Sequence, residues 1–199
     1  MVHRCLLLLV AACLAYAAPV PSPAPPQQVP LVYQPTSQLF CVRAIYESLD
    51  ARTLKVRNYA NDGAVNGRAV GTSNGSGPML TARIVNPKQP AKLQVGFSLG
   101  RRGGQVAPGP YWVIAAGANP LSRPGTYDWA IVSGGKPTTK GPNGCQAPTN
   151  GLDGGLWLFS RLPQDAANTQ LMLQTLQSMG LDTSALVPVQ QAGCLYQES

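Results

Sequence analysis

Between residues 41 and 161 the chain carries seven short segments rich in β-branched and aromatic residues, separated by stretches of Gly, Pro, Asn and Asp. They are Cys41 to Leu49, Thr53 to Tyr59, Met79 to Val85, Ala91 to Leu99, Tyr111 to Ala116, Thr126 to Ser133 and Leu156 to Arg161. Ala91 to Leu99 shows the pattern: Leu93, Val95 and Phe97 share one face, and Lys92, Gln94 and Ser98 share the other. Alternation of period two, bounded by turn residues, specifies strands with one dry face. Seven of them in succession, mostly at hairpin spacing, predict an all-β antiparallel sheet that closes or folds on itself.

One helix is expected over Gln164 to Met179, where Met172, Leu176 and Met179 recur at i, i+4 and i+7. Pro163 and Asp165 suit its start and Gly180 its end. Its apolar stripe must be buried, and the outside of the closed sheet is the surface on offer. A last apolar run, Ala185 to Val189, predicts a short edge strand whose pairing Pro188 limits.

The first residues read as an export signal. Arg4 precedes an apolar run from Cys5 to Leu14, and Ala15-Tyr16-Ala17 forms a small-x-small site, so residues 1–17 are expected to be cleaved after Ala17. The run is too short to span: as a helix it rises about 15 Å, half of a bilayer core. Residues 18–39 read as a Pro-rich linker, since APVPSPAPPQQVP from Ala18 to Pro30 favours polyproline II and packs no core. Residues 40–199 then form one domain. A secreted, extracellular destination makes disulfides durable. Cys41, Cys145 and Cys194 remain after cleavage, and an odd number implies one bridge and one leftover thiol. Asn74-Gly75-Ser76 is a sequon, so Asn74 is an expected glycosylation site.

Charge and chemistry narrow the function classes. Fifteen Lys and Arg face eight Asp and Glu, but the cations are scattered. That suits weak attraction to anionic lipid, polysaccharide or a membrane surface, and lacks the dense basic stripe of a nucleic-acid binder. The only His is His3, inside the expected leader. The mature chain therefore offers no imidazole for a Ser-His-Asp triad, a Cys-His pair or most zinc sites, and no metal or cofactor is expected. Cys145 has no adjacent cation to activate it as a nucleophile.

Taken together, CVRAIYESL, TLKVRNY, NPKQPAKLQVGF, YWVIAA, YDWAIVSG and LWLFSR followed by a helix resemble the lipocalins, in the branch of bacterial lipocalins, plant temperature-induced lipocalins and apolipoprotein D. The resemblance begins at Phe40 and covers about 160 residues. It implies an up-and-down antiparallel β-barrel of eight strands with one C-terminal helix packed on its outside. It implies a Cys41–Cys194 disulfide, which leaves Cys145 unpaired. It also implies that Arg161 ends the last main strand and caps the closed end of the barrel.

The family opens with a Gly-x-Trp strand, and none precedes Phe40 here. The first strand is thus expected to be missing, either through a lost exon or because the barrel is open along one side. The implied function is a secreted lipocalin that binds and carries or sequesters a small hydrophobic ligand: a fatty acid, lysophospholipid, sterol or pigment. One alternative is a lipocalin-fold enzyme acting on a lipid or pigment, with Cys145 as nucleophile. Another is a secreted recognition protein acting through its loops.

Alternation supplies the candidate ligand contacts. Trp157 shares a face with Phe159 and Arg161, Tyr46 with Val42 and Ala44, Phe97 with Leu93 and Val95, and Trp112 with Ile114. If Arg161 closes the barrel from inside, Trp157 points inward too, and Tyr46, Phe97, Trp112 and Trp157 become the expected contacts. Core filling explains any one of them alone; the set carries the ligand reading.

Overall fold

Eight strands form a closed antiparallel ring, and the helix lies against its outside. The structure, a computed structural model, describes residues 27–34, 39–71, 79–99, 104–117, 126–148 and 154–196. The expected leader with its cleavage site, and the Asn74 sequon, lie outside the described residues.

The strands are β1 (Gln27–Gln34), β2 (Leu39–Asp50), β3 (Thr53–Asp62), β4 (Arg68–Gly71), β5 (Leu80–Ile84), β6 (Lys92–Leu99), β7 (Gly104–Gly117), β8 (Trp129–Ser133), β9 (Thr139–Lys140), β10 (Cys145–Gln146), β11 (Leu156–Ser160) and β12 (Val187–Pro188). The helix α1 spans Ala166–Ser178. Around the ring the order is β1, β2, β3, β5, β6, β7, β8 and β11, and β11 pairs back onto β1. Each of the seven segments expected from alternation contributes to this wall. β3 is long enough to pair with β5 over Thr53–Val56 and with β4 over Tyr59–Asp62.

The expectation of a missing first strand is corrected here. Gln27–Gln34, read as part of a linker because of its prolines, is the strand that closes the ring. Gln27, Gln28, Val29 and Pro30 pair with β2, and Leu31 and Tyr33 with β11. Pro30 has no N–H for a ladder, and it stands at the last position paired to β2, where the strand hands over to β11. The expected edge strand also forms, as β12 beside Tyr33 and Gln34. Ring closure removes the two open edges that a seven-stranded wall would present.

Residues of alternate parity pack on opposite sides of the wall. One side carries Val42, Ala44, Tyr46, Leu54, Val56, Leu80, Ala82, Ile84, Leu93, Val95, Tyr111, Val113, Val132, Trp157 and Phe159, in two adjoining clusters inside the barrel. The other side carries Ile114, Ile131, Leu156 and Leu158 against Met172 and Leu176 of α1. Met172 and Leu176 are fully buried, and Met179 packs at the margin, as the i, i+4, i+7 stripe requires.

The Asp165 carboxylate caps α1 by accepting from the Asn168 backbone N–H at 3.1 Å, and Ser160 Oγ donates to it at 2.5 Å. Gly180, with φ +73°, turns the chain out of the helix. The ring of Trp129 lies across Gly117, where a Cβ would sit 2.4 Å from it, so any side chain there would force that ring to move.

The C-terminal tail is strapped over β2. Cys41 is bonded to Cys194 across a sequence separation of 153, as the resemblance implied. The Cys41 N–H donates to the Gln190 carbonyl, and Gln191 Nε2 donates to the Val42 carbonyl. Asn66, in the β3–β4 hairpin turn, donates to the Gly193 carbonyl and accepts from the Leu195 N–H. The Arg43 guanidinium, on the outer face of β2, lies over the rings of Tyr59 and Tyr196 at 5.3 and 5.4 Å.

Candidate functional site

Among the described residues the inner face carries two adjoining apolar clusters, with tyrosine hydroxyls between them. Tyr46 on β2 and Tyr111 on β7 meet hydroxyl to hydroxyl at 2.6 Å. In the ring order β2 and β7 stand four places apart out of eight, so this hydrogen bond crosses the full width of the barrel. Both tyrosines pack against both inner clusters, Phe159 and Val132 on one side and Val56 and Leu93 on the other. Burial pushes the Tyr46 phenol up to about 12, against the opposing hydrogen bond from Tyr111. Burial, then the neighbouring Tyr46, holds Tyr111 well above its usual value. Both are neutral hydroxyls across the physiological range.

Among the four expected contacts, Tyr46 and Trp157 pack in the inner clusters. Phe97 stands opposite Leu80 and keeps the parity of Val95, which places it on the same side of the wall. Trp112 does not join them. It packs against the outer cluster beneath the helix, with Lys92 Nζ 4.6 Å from its ring centroid.

The pairing of Trp112 with Ile114 on one face holds, but that face is the outer one. Tyr111 and Trp112 are both aromatic, so local pattern alone does not choose between them. The register does: Lys92 lies opposite Trp112, and Leu93 opposite Tyr111. Had the charge on Lys92 been used to orient β7, Tyr111 would have been found and Trp112 set aside.

Arg161 follows the end of β11. Its Nε donates to the Tyr127 carbonyl at 2.8 Å, and its own N–H donates to the Asp128 carbonyl at 2.9 Å. Burial lowers its pKa while the Asp128 charge opposes that shift, so it remains a cation tying β11 to the segment that enters β8.

Cys145 is not an unpaired thiol. It is disulfide-bonded, and its partner is not among the described residues. Its backbone is also fixed: the Cys145 N–H donates to Gly180, and its carbonyl accepts from Asp182. The expectation of a leftover thiol concerns a chain cleaved after Ala17, without Cys5 and Cys13; in the chain as described, Cys145 is bonded.

No family model and no curated protein matches the chain. Solved structures do. Apocrustacyanin C1 aligns at 15% identity and TM-score 0.52, over 86% of this chain and 80% of that one. H1 crustacyanin from the lobster Homarus americanus aligns at 14% identity and TM-score 0.52, over 86% and 80%. Lobster apocrustacyanin A1 aligns at 13% and 0.50, over 83% and 76%. Crustacyanins are lipocalins. At such identities the likeness is one of fold: the chain has the lipocalin fold.

Proposed function

We infer that this chain is a secreted protein that binds a small hydrophobic ligand inside its barrel and carries or sequesters it. The observation that supports this most is the inner face itself. The closed barrel carries two adjoining clusters of aliphatic and aromatic side chains on its inner face, with the Tyr46 and Tyr111 hydroxyls meeting between them. Affinity in such a site comes from apolar surface removed from water, about 25 cal/mol per Å², with a few polar groups setting orientation. The covalent Cys41–Cys194 tie supports export, because such bonds persist in oxidising compartments. The likeness to crustacyanins suggests a pigment as one ligand class, beside fatty acids, lysophospholipids and sterols.

The three tryptophans provide the test. Trp157 is on the inner face, while Trp112 and Trp129 pack in the outer cluster. A brominated long-chain alcohol quenches indole fluorescence on contact. Titration into the mature chain is expected to quench Trp157 alone, and the quench to vanish in Trp157→Phe but survive in Trp112→Phe. No quench by this or any other apolar ligand would count against the carrier reading.

A further inference from the structure

We propose that the Tyr46–Tyr111 pair is the specificity determinant of the barrel, receiving the polar end of a neutral ligand that carries a carbonyl or hydroxyl and disfavouring carboxylates. This deepens the ligand-binding reading above and rests on it.

The geometry is that of a crossbar. The two hydroxyls meet at 2.6 Å from diametrically opposite strands, and their rings form the shared boundary of two apolar clusters. Tyr46 stands nearer the β2–β3 turn than the start of β2, so the bar crosses the lower part of the β2 wall. A long apolar body entering from the other end meets the bar end-on, with its terminal group at the hydroxyls.

The hydrogen inventory decides what that group can be. Each phenol has one proton to donate. The bond between the two uses one, leaving one O–H and the remaining lone pairs for a ligand. A ketone or aldehyde oxygen accepts from the free O–H, and an alcohol can donate as well as accept, both without breaking the bar. A carboxylate would bring a charge beside Phe159, Val132, Val56 and Leu93, the side chains the two tyrosines pack against. Two neutral phenols can hydrogen-bond a carboxylate but cannot neutralise it. The cation that follows β11 on the parity of Trp157 and Phe159, Arg161, is already engaged by the Tyr127 carbonyl and faced by Asp128.

The test uses four retinoids that share one apolar body and differ at the end group: retinal, retinol, retinoate and the hydrocarbon anhydroretinol. Affinities are read from tryptophan quenching of the full mature chain at pH 7.4. Retinal and retinol are expected to bind about fivefold tighter than anhydroretinol, one net hydrogen bond's worth, and retinoate weakest of the four. In the double variant Tyr46→Phe/Tyr111→Phe the advantage of retinal over anhydroretinol should disappear, while anhydroretinol itself binds as before; either single variant still has one O–H to donate.

A measurement on the unaltered chain guards against variants that misfold: retinoate affinity should rise as pH falls and its carboxylate takes up a proton. The proposal is overturned if retinoate binds as tightly as retinal at pH 7.4, if its affinity is flat with pH, or if the double Phe variant keeps the preference for retinal. Binding without that preference sinks the crossbar and leaves the carrier reading standing. Failure of all four retinoids and of the brominated alcohol sinks both.

Discussion

The wall of the barrel has two apolar sides that are packed to different standards. Beneath α1, Ile131, Leu158, Met172 and Leu176 are each 0% exposed. Inside the ring Ala82 and Val132 are buried as deeply, but Tyr46 and Tyr111 keep some exposure and meet through a hydrogen bond. Tight aliphatic packing leaves little to rearrange, and its energy comes from filled volume. The inner side sets two hydroxyls among its rings, and their hydrogen bond can be shared with another polar group. On the proposed reading, stability and recognition are carried on opposite faces of the same strands, one residue apart in sequence.

Breaking the outer side should cost most. Leu176→Ala removes a fully buried side chain and is expected to destabilise by about 2–5 kcal/mol in a urea melt, with retinol affinity of the folded fraction unchanged. Val113→Ala, on the inner side, should cost roughly 1–2 kcal/mol and shift retinoid affinity instead. Equal losses of stability at the two positions would abolish the contrast.

Next is the strap. Cys194→Ser opens a loop of separation 153 and should cost about 2–4 kcal/mol. The melt should stay cooperative, because the hydrogen bonds of Gln190 and Gln191 to β2 survive the change.

Smaller effects separate the two sides along the pH axis. Burial raises the Asp165 pKa, but hydrogen bonds from Ser160 and Asn168 outweigh it and leave the carboxyl below its usual value. A depressed folded pKa gives stability that is present above the unfolded value, near 4, and lost as pH falls through the folded one. Asp165→Ala should cost about 1 kcal/mol at neutral pH and flatten the acid limb of a stability–pH curve.

Tyr46 and Tyr111 act at the other limb. A raised folded pKa gives stability that is present below the unfolded value, near 10, and lost as pH rises toward about 12. Tyr46→Phe should change neutral stability by no more than about 1 kcal/mol while softening that alkaline loss. The check is ultraviolet titration, in which the Tyr46 phenol should ionise only on approach to pH 12. Ionisation of all the tyrosines near pH 10 would show that the crossbar is open to water.

The contrast between the two faces also explains what could be read from the amino-acid sequence. Where strand and turn chemistry are local, as in Ala91 to Leu99 with its Asn86-Pro87 turn, pattern and structure agree. The helix agrees too, because Met172, Leu176, the Asp165 cap and Gly180 all point the same way. β1 was illegible because proline was weighed against the whole stretch, whereas the ladder constrains each position separately and Pro30 occupies one where the partner changes. The Tyr46–Tyr111 bond was illegible for another reason. Its partners are 65 residues apart, and only ring closure brings them opposite one another. Trp112 failed because a period of two separates faces without naming which one is inside.

The seam between β1 and β11 has a consequence for how the molecule is made. One edge of the seam comes from residues 27–34 and the other from residues 156–160, with β12 and the Cys194 tie added later still. A chain emerging from the ribosome N-terminus first presents β1 long before its closing partner exists. During that interval it is a strand with a vacant side, the kind of template on which neighbouring nascent chains can join.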